Sequence, residues 1–217
     1  MNPTPEKTSV MAPFILMLFL YFIVGLFTVI NQQFQVPLKS ALLPHDGNMT
    51  NALVTLLNFS WFLAYPFSEG FATRWVDRLG YRKTSVYSLL IFIAGLGFYE
   101  AAVLLHIYAP SYITIMGNPI FTGFFVFLSG SFVIGMAVTI LQVVTGLYLD
   151  VNPVGKTTPL QRQMIGGTTN SIGMAIGPLV VSYIIFYGIP LHNIQSREFI
   201  WPVICLIAII CIFTLIT

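Results

Sequence analysis

Charged residues are scarce in this chain. Only 7% of its 217 residues are charged, while 57% are hydrophobic, and the formal net charge is +2. So few charged side chains cannot give a globule of this size a solvated surface, so most of the surface must face lipid. The small net charge also argues against a nucleic-acid partner, because such partners require a dense basic surface. The composition therefore indicates a protein whose main partner is a lipid bilayer.

Residues that carry metal or nucleophilic chemistry are also scarce. The two cysteines, Cys205 and Cys211, lie in one apolar run, where a helix would point them in different directions. No group of His, Cys, Asp or Glu has the spacing of metal ligands, and the glycines form no phosphate-binding loop. We therefore expect no disulfide, no metal, no cofactor and no enzymatic activity.

Long apolar runs dominate what is present. Six of them are long enough to cross a hydrocarbon core of roughly 30 Å, which takes about 20 residues. Each should be helical, because lipid offers no hydrogen-bond partners to an open backbone. The runs are 13–33, 53–71, 85–106, 120–149, 164–187 and 199–217. With their connections they divide the chain into 12–51, 52–84, 85–119, 120–163, 164–198 and 199–217. The predicted fold class is an all-α polytopic membrane protein with six transmembrane helices.

The distribution of basic residues predicts the orientation. With the N-terminus inside, seven basic residues fall on the inner side and two on the outer side, and such an excess is typical of cytoplasmic segments. The inner residues are Lys7, Arg74, Arg78, Arg82, Lys83, Lys156 and Arg162, and the outer ones are Lys39 and Arg197. The N-terminus is therefore predicted to be cytoplasmic.

Two acidic residues fall within the apolar runs. Glu69 lies near the inner end of the second run, and Glu100 lies in the outer half of the third. A charge at the bilayer centre costs at least a few kcal/mol, roughly, so such residues are often functional. Placement at the membrane interface explains both equally well, and the two interpretations stay open.

Uncharged amides form the most informative polar set. Amides within lipid need partners, so they should face a bundle interior or a watery cavity. They donate and accept hydrogen bonds at once, which suits the hydroxyls of a sugar. Hydrogen bonds between helices are the alternative interpretation, worth about 1 kcal/mol for each pair. The residues are Asn31, Gln32, Gln33 and Gln35 near the end of the first run, Gln142 in the fourth and Asn170 in the fifth.

Small residues predict close helix packing. Gly173 and Gly177 are four residues apart in the fifth run and should let a neighbouring helix approach. Gly95, Gly97, Gly130 and Gly135 are interpreted in the same way for the third and fourth runs. Pro66 and Pro178 should kink the helices that contain them.

The segment between the second and third runs points to a family. It reads Asp77-Arg78-Leu79-Gly80-Tyr81-Arg82-Lys83. It resembles the loop pattern G-x-x-x-D-R-x-G-R-[RK] of the major facilitator superfamily, although Tyr81 shifts the fit and Thr73 replaces the first glycine. The resemblance implies one bundle built from two inverted three-helix repeats. It also implies a gating motif on the cytoplasmic side, made of Asp77, Arg78, Gly80, Arg82 and Lys83.

A second stretch narrows this resemblance. The run from Leu141 to Tyr148, followed by Arg162, by Thr169-Asn170-Ser171-Ile172-Gly173 and by Gly177-Pro178, is similar to the fucose:proton symporter family. That similarity implies transport of a hexose such as glucose, galactose or fucose, with Gln142 and Asn170 contacting the sugar. It also implies a plasma-membrane location, of the bacterial inner-membrane type.

The resemblance fails at the proton site. Family members carry Asn-Asp shortly before a proline near the end of the first helix, whereas this chain has Gln32 and Gln33 before Pro37. Glutamine does not titrate, so we expect no proton symport through position 33. A coupling acid would have to be Glu100, Glu69 or a residue of the missing half.

The resemblance covers only the first half of a transporter with twelve spans. Since the chain stops at Thr217 within the sixth apolar run, it is expected to be part of a longer protein. Its partner would be a C-terminal six-helix half or a second copy. Two alternatives remain: a carrier of another polar solute such as a nucleoside, and a six-span structural or regulatory protein that transports nothing.

Overall fold

The protein is almost entirely helical. A computed structural model describes residues 11–34, 36–38, 43, 48–115, 117–190 and 193–217, and 85% of it is helix. The helices are α1 (Met11–Gln33), α2 (Asn48–Tyr108), α3 (Gly123–Val151), α4 (Pro159–Leu179) and α5 (Ile200–Ile216). Strands β1 (Tyr112–Ile115) and β2 (Asn118–Phe121) form an antiparallel hairpin between α2 and α3. Within the described residues, five helices are long and apolar enough to cross a membrane, which confirms an all-α membrane protein.

Helix α2 reverses its direction at Gly80. This residue has φ 79° and ψ 168°, a conformation that is essentially restricted to glycine. The rings of Trp75 and Tyr87 lie on opposite sides of the break, yet their centroids are only 6.2 Å apart. We name the two limbs α2a (48–79) and α2b (81–108). Glycine at this position permits the tight turn between the two limbs.

Residues 72–84, which join the second and third apolar runs, do not form an open loop. Apart from Gly80, this segment is helical in both limbs. Arginine and lysine are good helix formers, so the helices continue past their apolar runs until glycine breaks them.

Consecutive segments run in opposite directions, so the bundle has two distinct ends. At one end the rings of Tyr81 and Tyr148 are 5.3 Å apart, and Arg82 Nε donates to the Thr217 carbonyl at 2.8 Å. This basic end carries Arg74, Arg78, Arg82, Lys83, Lys156 and Arg162 on α2, α4 and the 152–158 connection. Lys7 and Lys39 lie outside the described residues.

The opposite end, which we call the hairpin end, is closed by aromatic rings. The ring centroid of Phe34, just past α1, lies 5.8 Å from the ring centroids of both Phe186 and Phe199. His106 at the end of α2b lies 4.8 Å from Phe121 of β2. These contacts join the end of α1 to the segment after α4 and to the start of α5, and they join the end of α2b to the hairpin.

Glycines allow α1 and α4 to pack with their backbones close together. A Cβ added to Gly173 would overlap the Phe22 carbonyl oxygen, and one added to Gly177 would lie 2.8 Å from Val29 Cγ1. The close approach predicted for these two glycines is confirmed. Gly95, Gly130 and Gly135 make similar contacts between α2 and α3, whereas Gly97 faces open space and has no such role.

Pro178 ends the regular part of the fifth apolar run. Helix α4 passes after Leu179 into a π-helix over Val180–Ile185. Proline lacks the N–H for the usual helical bond and so weakens the regular helix, and the π-helix begins two residues after it. Pro66 lies within α2a without ending it.

The two cysteines of α5, Cys205 and Cys211, are free and exposed.

Candidate functional site

Asn31 lies in the interior of the bundle. Its side chain is 3% exposed, and its Oδ1 accepts a hydrogen bond from the Tyr99 hydroxyl at 2.9 Å. Ser131 Oγ lies 3.4 Å from the same oxygen and donates to the Leu57 carbonyl at 3.1 Å. This cluster connects α1, both limbs of α2 and α3. In this conformation Asn31 makes the helix-to-helix contact that was the alternative to a ligand role.

Asn170 connects α4 to α1. Its Nδ2 donates to the Tyr21 carbonyl at 3.0 Å, and the side chain is half-buried. Gly25 faces the backbone of Asn170 so closely that a Cβ there would overlap its carbonyl oxygen. The amide is therefore held at the contact between the two helices.

Gln142 is half-buried on α3 close to the level of Asn170. Gln163 Nε2 of α4 donates to the Gly146 carbonyl at 2.8 Å, which fixes the register of this antiparallel pair. Gln142 precedes Gly146 by one helical turn, so it lies level with residues 167–169 of α4, about one turn from Asn170. This register gives the two residues nearby levels on α3 and α4, while the Asn170 amide itself is bonded to α1.

The amides at the end of α1 lie at a different level. Gln32 is exposed, Gln33 is half-buried, and Gln35 lies outside the described residues. Asn31 follows Gly25 by six residues, so at 1.5 Å a residue it lies about 9 Å farther along the axis than the contact with Asn170. The α1 amides are therefore nearer the hairpin end than Gln142 and Asn170 are.

Helices α4 and α5 differ sharply in what they expose. Both are mostly uncovered by the rest of the protein. In the most apolar 18-residue stretch of 159–185, 22% of the residues are buried, and in that of 197–215, 28% are buried. The mean hydropathy of this stretch is only 1.3 in 159–185, against 2.5 in 197–215. The uncovered surface of α4 includes Thr168 and Ser171, whereas α5 exposes residues such as Ile209 and Ile212. Lipid accounts for the apolar surface of α5. On α4 the Thr168 and Ser171 hydroxyls donate to the Met164 and Gly167 carbonyls, and hydrophobic residues such as Ile172 are exposed beside them. The low hydropathy of α4, and not an unmet hydrogen bond, is therefore what distinguishes its surface from that of α5.

Arg162 is a buried residue that was not among the site residues predicted from the sequence. It is 2% exposed, and its Nε, Nη1 and Nη2 donate to the carbonyls of Leu149, Thr157 and Asp150 at 2.6, 2.8 and 2.8 Å. The C-terminal carbonyls of a helix attract a cation, so the end of α3 stabilises the guanidinium. The sequence contains an indication of this burial. Arg162 lies in the first turn of α4, where the helix dipole repels a cation, so its guanidinium needs an acceptor outside that helix.

The motif around Gly80 lies at the basic end. Asp77, Arg78 and Lys83 are exposed, and Arg82 binds the Thr217 carbonyl. Within the described part of the chain, the Asp77 carboxylate makes no hydrogen bond or ion pair. Its gating role stays a prediction.

The two candidate coupling acids differ in exposure. Glu100 is half-buried on α2b, and its Oε2 is buried without a hydrogen-bond partner among the residues described. Glu69 is exposed on α2a. No group of three or more potential metal ligands occurs in the described ranges.

Comparison with known proteins gave no relative. The chain matches no protein-family model, no curated protein and no solved structure.

Proposed function

We propose that this chain is the N-terminal six-helix half of a secondary transporter that moves a sugar by alternating access. The observation that carries the proposal is the contrast between α4 and α5. Helix α4 combines the lowest hydropathy of the five candidate spans with the smallest buried share. A helix of that kind is suited to line a watery cavity or to contact a second bundle, as expected for a helix between the halves of a transporter.

The proposed topology has six crossings. The reversal at Gly80 lets α2a and α2b each cross once, so that α2 supplies the second and third spans. The basic end faces the cytoplasm in a plasma membrane of the bacterial inner-membrane type, since basic residues accumulate on that side. The six segments would then form the two inverted repeats of a major facilitator bundle, with the uncovered face of α4 against the other half or a second copy.

The proposed substrate face lies around Gln142. By the register of α3 and α4, Gln142 would lie within about one helical turn of the level of Asn170, and Thr168 and Ser171 are exposed along α4. Gln32 and Gln33 of α1 would contribute from nearer the hairpin end, and the motif at Gly80 would control opening at the basic end. An uncharged surface of amides and hydroxyls suits the hydroxyls of a hexose, because amides donate and accept together.

Coupling to protons through position 33 is not part of the proposal. The amide of Gln33 carries no titrating proton, and Gln33 occupies the place where the resembled family has its acid. Glu100 is the better candidate acid of this half, because one of its oxygens is buried without a partner in the described structure. Glu69 is exposed.

Binding measurements with two glutamine variants test the proposal. Gln142→Ala should weaken binding of the cognate hexose by about 1–3 kcal/mol, the cost of an unpaired buried group, while leaving thermal stability largely intact. Gln163→Ala is the matched control: it should lower stability, because its amide holds the Gly146 carbonyl, and should not change affinity directly. A panel of hexoses and nucleosides, assayed by calorimetry on the purified chain and by uptake with the second half, identifies the solute.

A non-transporting membrane protein is the second candidate. The observation in its favour is that Asn31 and Asn170 both hydrogen-bond to other helices in this conformation. If Gln142→Ala lowers stability as Gln163→Ala does, and no solute of the panel binds, the amides hold helices together and the transporter proposal is contradicted.

A further inference from the structure

A cavity of about 490 Å³ lies at the basic end of the bundle. That volume is within the range of roughly 300–1,000 Å³ that is typical of small-molecule sites. Its wall is mostly apolar, and it is formed by Ala12, Pro13, Leu16 and Met17 of α1, Tyr81 and Arg82 of α2b, Tyr148 of α3, and Thr217 just past α5. Arg82 is exposed, whereas Met17 and Tyr148 are buried, so the cavity extends from the surface into the bundle.

The cavity lies at the level where lipid tails meet lipid headgroups. Pro13 begins the first apolar run, Arg82 comes just before the third, and Tyr148 is close to the end of the fourth. The rings of Tyr81 and Tyr148 meet edge to face with their centroids 5.3 Å apart. Tyrosine is enriched at membrane–water interfaces, which agrees with this level. A molecule in the cavity is therefore in reach of both the hydrocarbon and the headgroup region.

Arg82, which lines the cavity, has unused hydrogen-bond donors. Its Nε donates to the Thr217 carbonyl at 2.8 Å, and this bond holds the guanidinium at the cavity. Its Nη1 and Nη2 have no hydrogen-bond or ion-pair partner among the described residues. Arg162, by contrast, has all three nitrogens bonded to carbonyls. A guanidinium presents its donors in a planar fork that fits a phosphate group, so Arg82 is equipped to bind one.

The charge at this end favours an anion. The exposed cations are Arg74, Arg78, Arg82, Lys83 and Lys156, and the exposed acids are Glu69, Asp77 and Asp150. Basic pockets between helices on the cytoplasmic side of a membrane bind anionic lipid headgroups. A free phosphate would leave the apolar wall unfilled, and a zwitterionic lipid would place a second cation among those already present.

We propose that this cavity binds one anionic phospholipid. An acyl chain of the lipid packs against Leu16 and Met17, and the phosphate accepts hydrogen bonds from Arg82 Nη1 and Nη2. The lipid thereby links α1 to α2b at the basic end. This site does not depend on transport of any solute, so it stands apart from the function proposed above.

Native mass spectrometry of the purified chain tests the identity of the ligand. The chain, freed of lipid in a mild detergent, is titrated with phosphatidylglycerol, with phosphatidylcholine of the same acyl chains, and with inorganic phosphate. One phosphatidylglycerol should be retained by each chain and should bind at least about tenfold more tightly than phosphatidylcholine. Equal binding of the two lipids would show that apolar contact alone fills the cavity and would overturn the proposal. Inorganic phosphate that binds as tightly as phosphatidylglycerol would also overturn it.

Three variants separate the cavity from the basic surface around it. Arg82→Gln should weaken phosphatidylglycerol binding at least about tenfold, because charge-assisted hydrogen bonds are lost. Arg78→Gln is the matched control: it removes an exposed cation that does not line the cavity, and binding should change less than about twofold. Leu16→Trp fills the cavity and should weaken binding without removing a cation. Should Arg82→Gln not fold, Leu16→Trp and the comparison of lipids on the wild-type chain decide. Equal losses at positions 78 and 82, or undiminished binding in Leu16→Trp, would contradict the assigned site.

Discussion

Arg162 is held in place entirely by backbone groups. Each of its three guanidinium nitrogens donates to a carbonyl, two at the end of α3 and one at Thr157. Burying a cation without a carboxylate is tolerated because several charge-assisted hydrogen bonds and a helix C-terminus replace the lost hydration. The planar guanidinium presents its donors in a fixed fork, which the flexible ammonium of lysine cannot reproduce.

Replacing Arg162 by lysine should therefore destabilise the protein. We expect Arg162→Lys to lower the free energy of unfolding by about 1.5–3 kcal/mol, the net value of a hydrogen bond to a charged group. Arg78→Lys is the matched control, because Arg78 is exposed at the same end, and its effect should be close to zero. Denaturant titration in detergent measures both, and equal effects for the two variants would refute the role assigned to Arg162.

The contact between α1 and α4 depends on glycine. Gly25, Gly173 and Gly177 occupy positions where a Cβ would meet backbone or side-chain atoms of the other helix. Without a strong hydrophobic force between helices in lipid, such close packing supplies much of their attraction. Gly167 lies on α4 as well but faces open space, so it offers an internal comparison.

Gly173→Ala should separate α1 from α4. The added methyl would overlap the Phe22 carbonyl, a backbone atom that cannot swing away, so we expect a loss of about 1–3 kcal/mol in stability. Gly167→Ala should be neutral or stabilise by up to about 1 kcal/mol, because alanine is the better helix former. Thermal unfolding of the two variants measures the difference. A loss in both would show that helix flexibility, and not the contact, is the cause.

The elements were predictable to different degrees. The apolar runs anticipated every long helix, because twenty apolar residues in lipid leave the backbone few alternatives to a helix. The turn at Gly80 followed from glycine at the centre of a polar segment. The helical extension of 72–84 and the hairpin of β1 and β2 were missed, because neither depends on hydrophobicity. The π-helix after Pro178 was anticipated only as a kink.

The candidate site was predictable in composition but not in contacts. The amides were identified from the sequence, and the register of α3 and α4 gives Gln142 and Asn170 levels within about one helical turn of each other. It did not show that Asn31 meets Tyr99 and Ser131, since these residues are 68 and 100 positions away. Contacts between distant residues depend on how helices pack, and a single sequence does not encode that in any local pattern.

For the molecule as a whole, charge is concentrated at the basic end. If that end is cytoplasmic, a cysteine introduced by Ser111→Cys next to β1 should react with a membrane-impermeant maleimide added to intact cells. One introduced by Arg78→Cys should react only after the membrane is opened. Both positions are exposed, so the difference reports the side of the membrane and not burial. The opposite pattern of labelling would reverse the proposed orientation.

The central claim is that the polar, uncovered surface of α4 faces water or protein and not lipid. The most direct measurement is the reaction of Ser171→Cys with a charged, water-soluble thiol reagent in the purified, membrane-reconstituted chain. Cys205 and Cys211, exposed on the apolar surface of α5, serve as native controls. We predict prompt labelling at position 171, protection when the complementary half or a bound sugar covers the surface, and no labelling of the α5 cysteines. If the cysteine at 171 is as unreactive as Cys211 in the chain alone, α4 faces lipid and the account is contradicted.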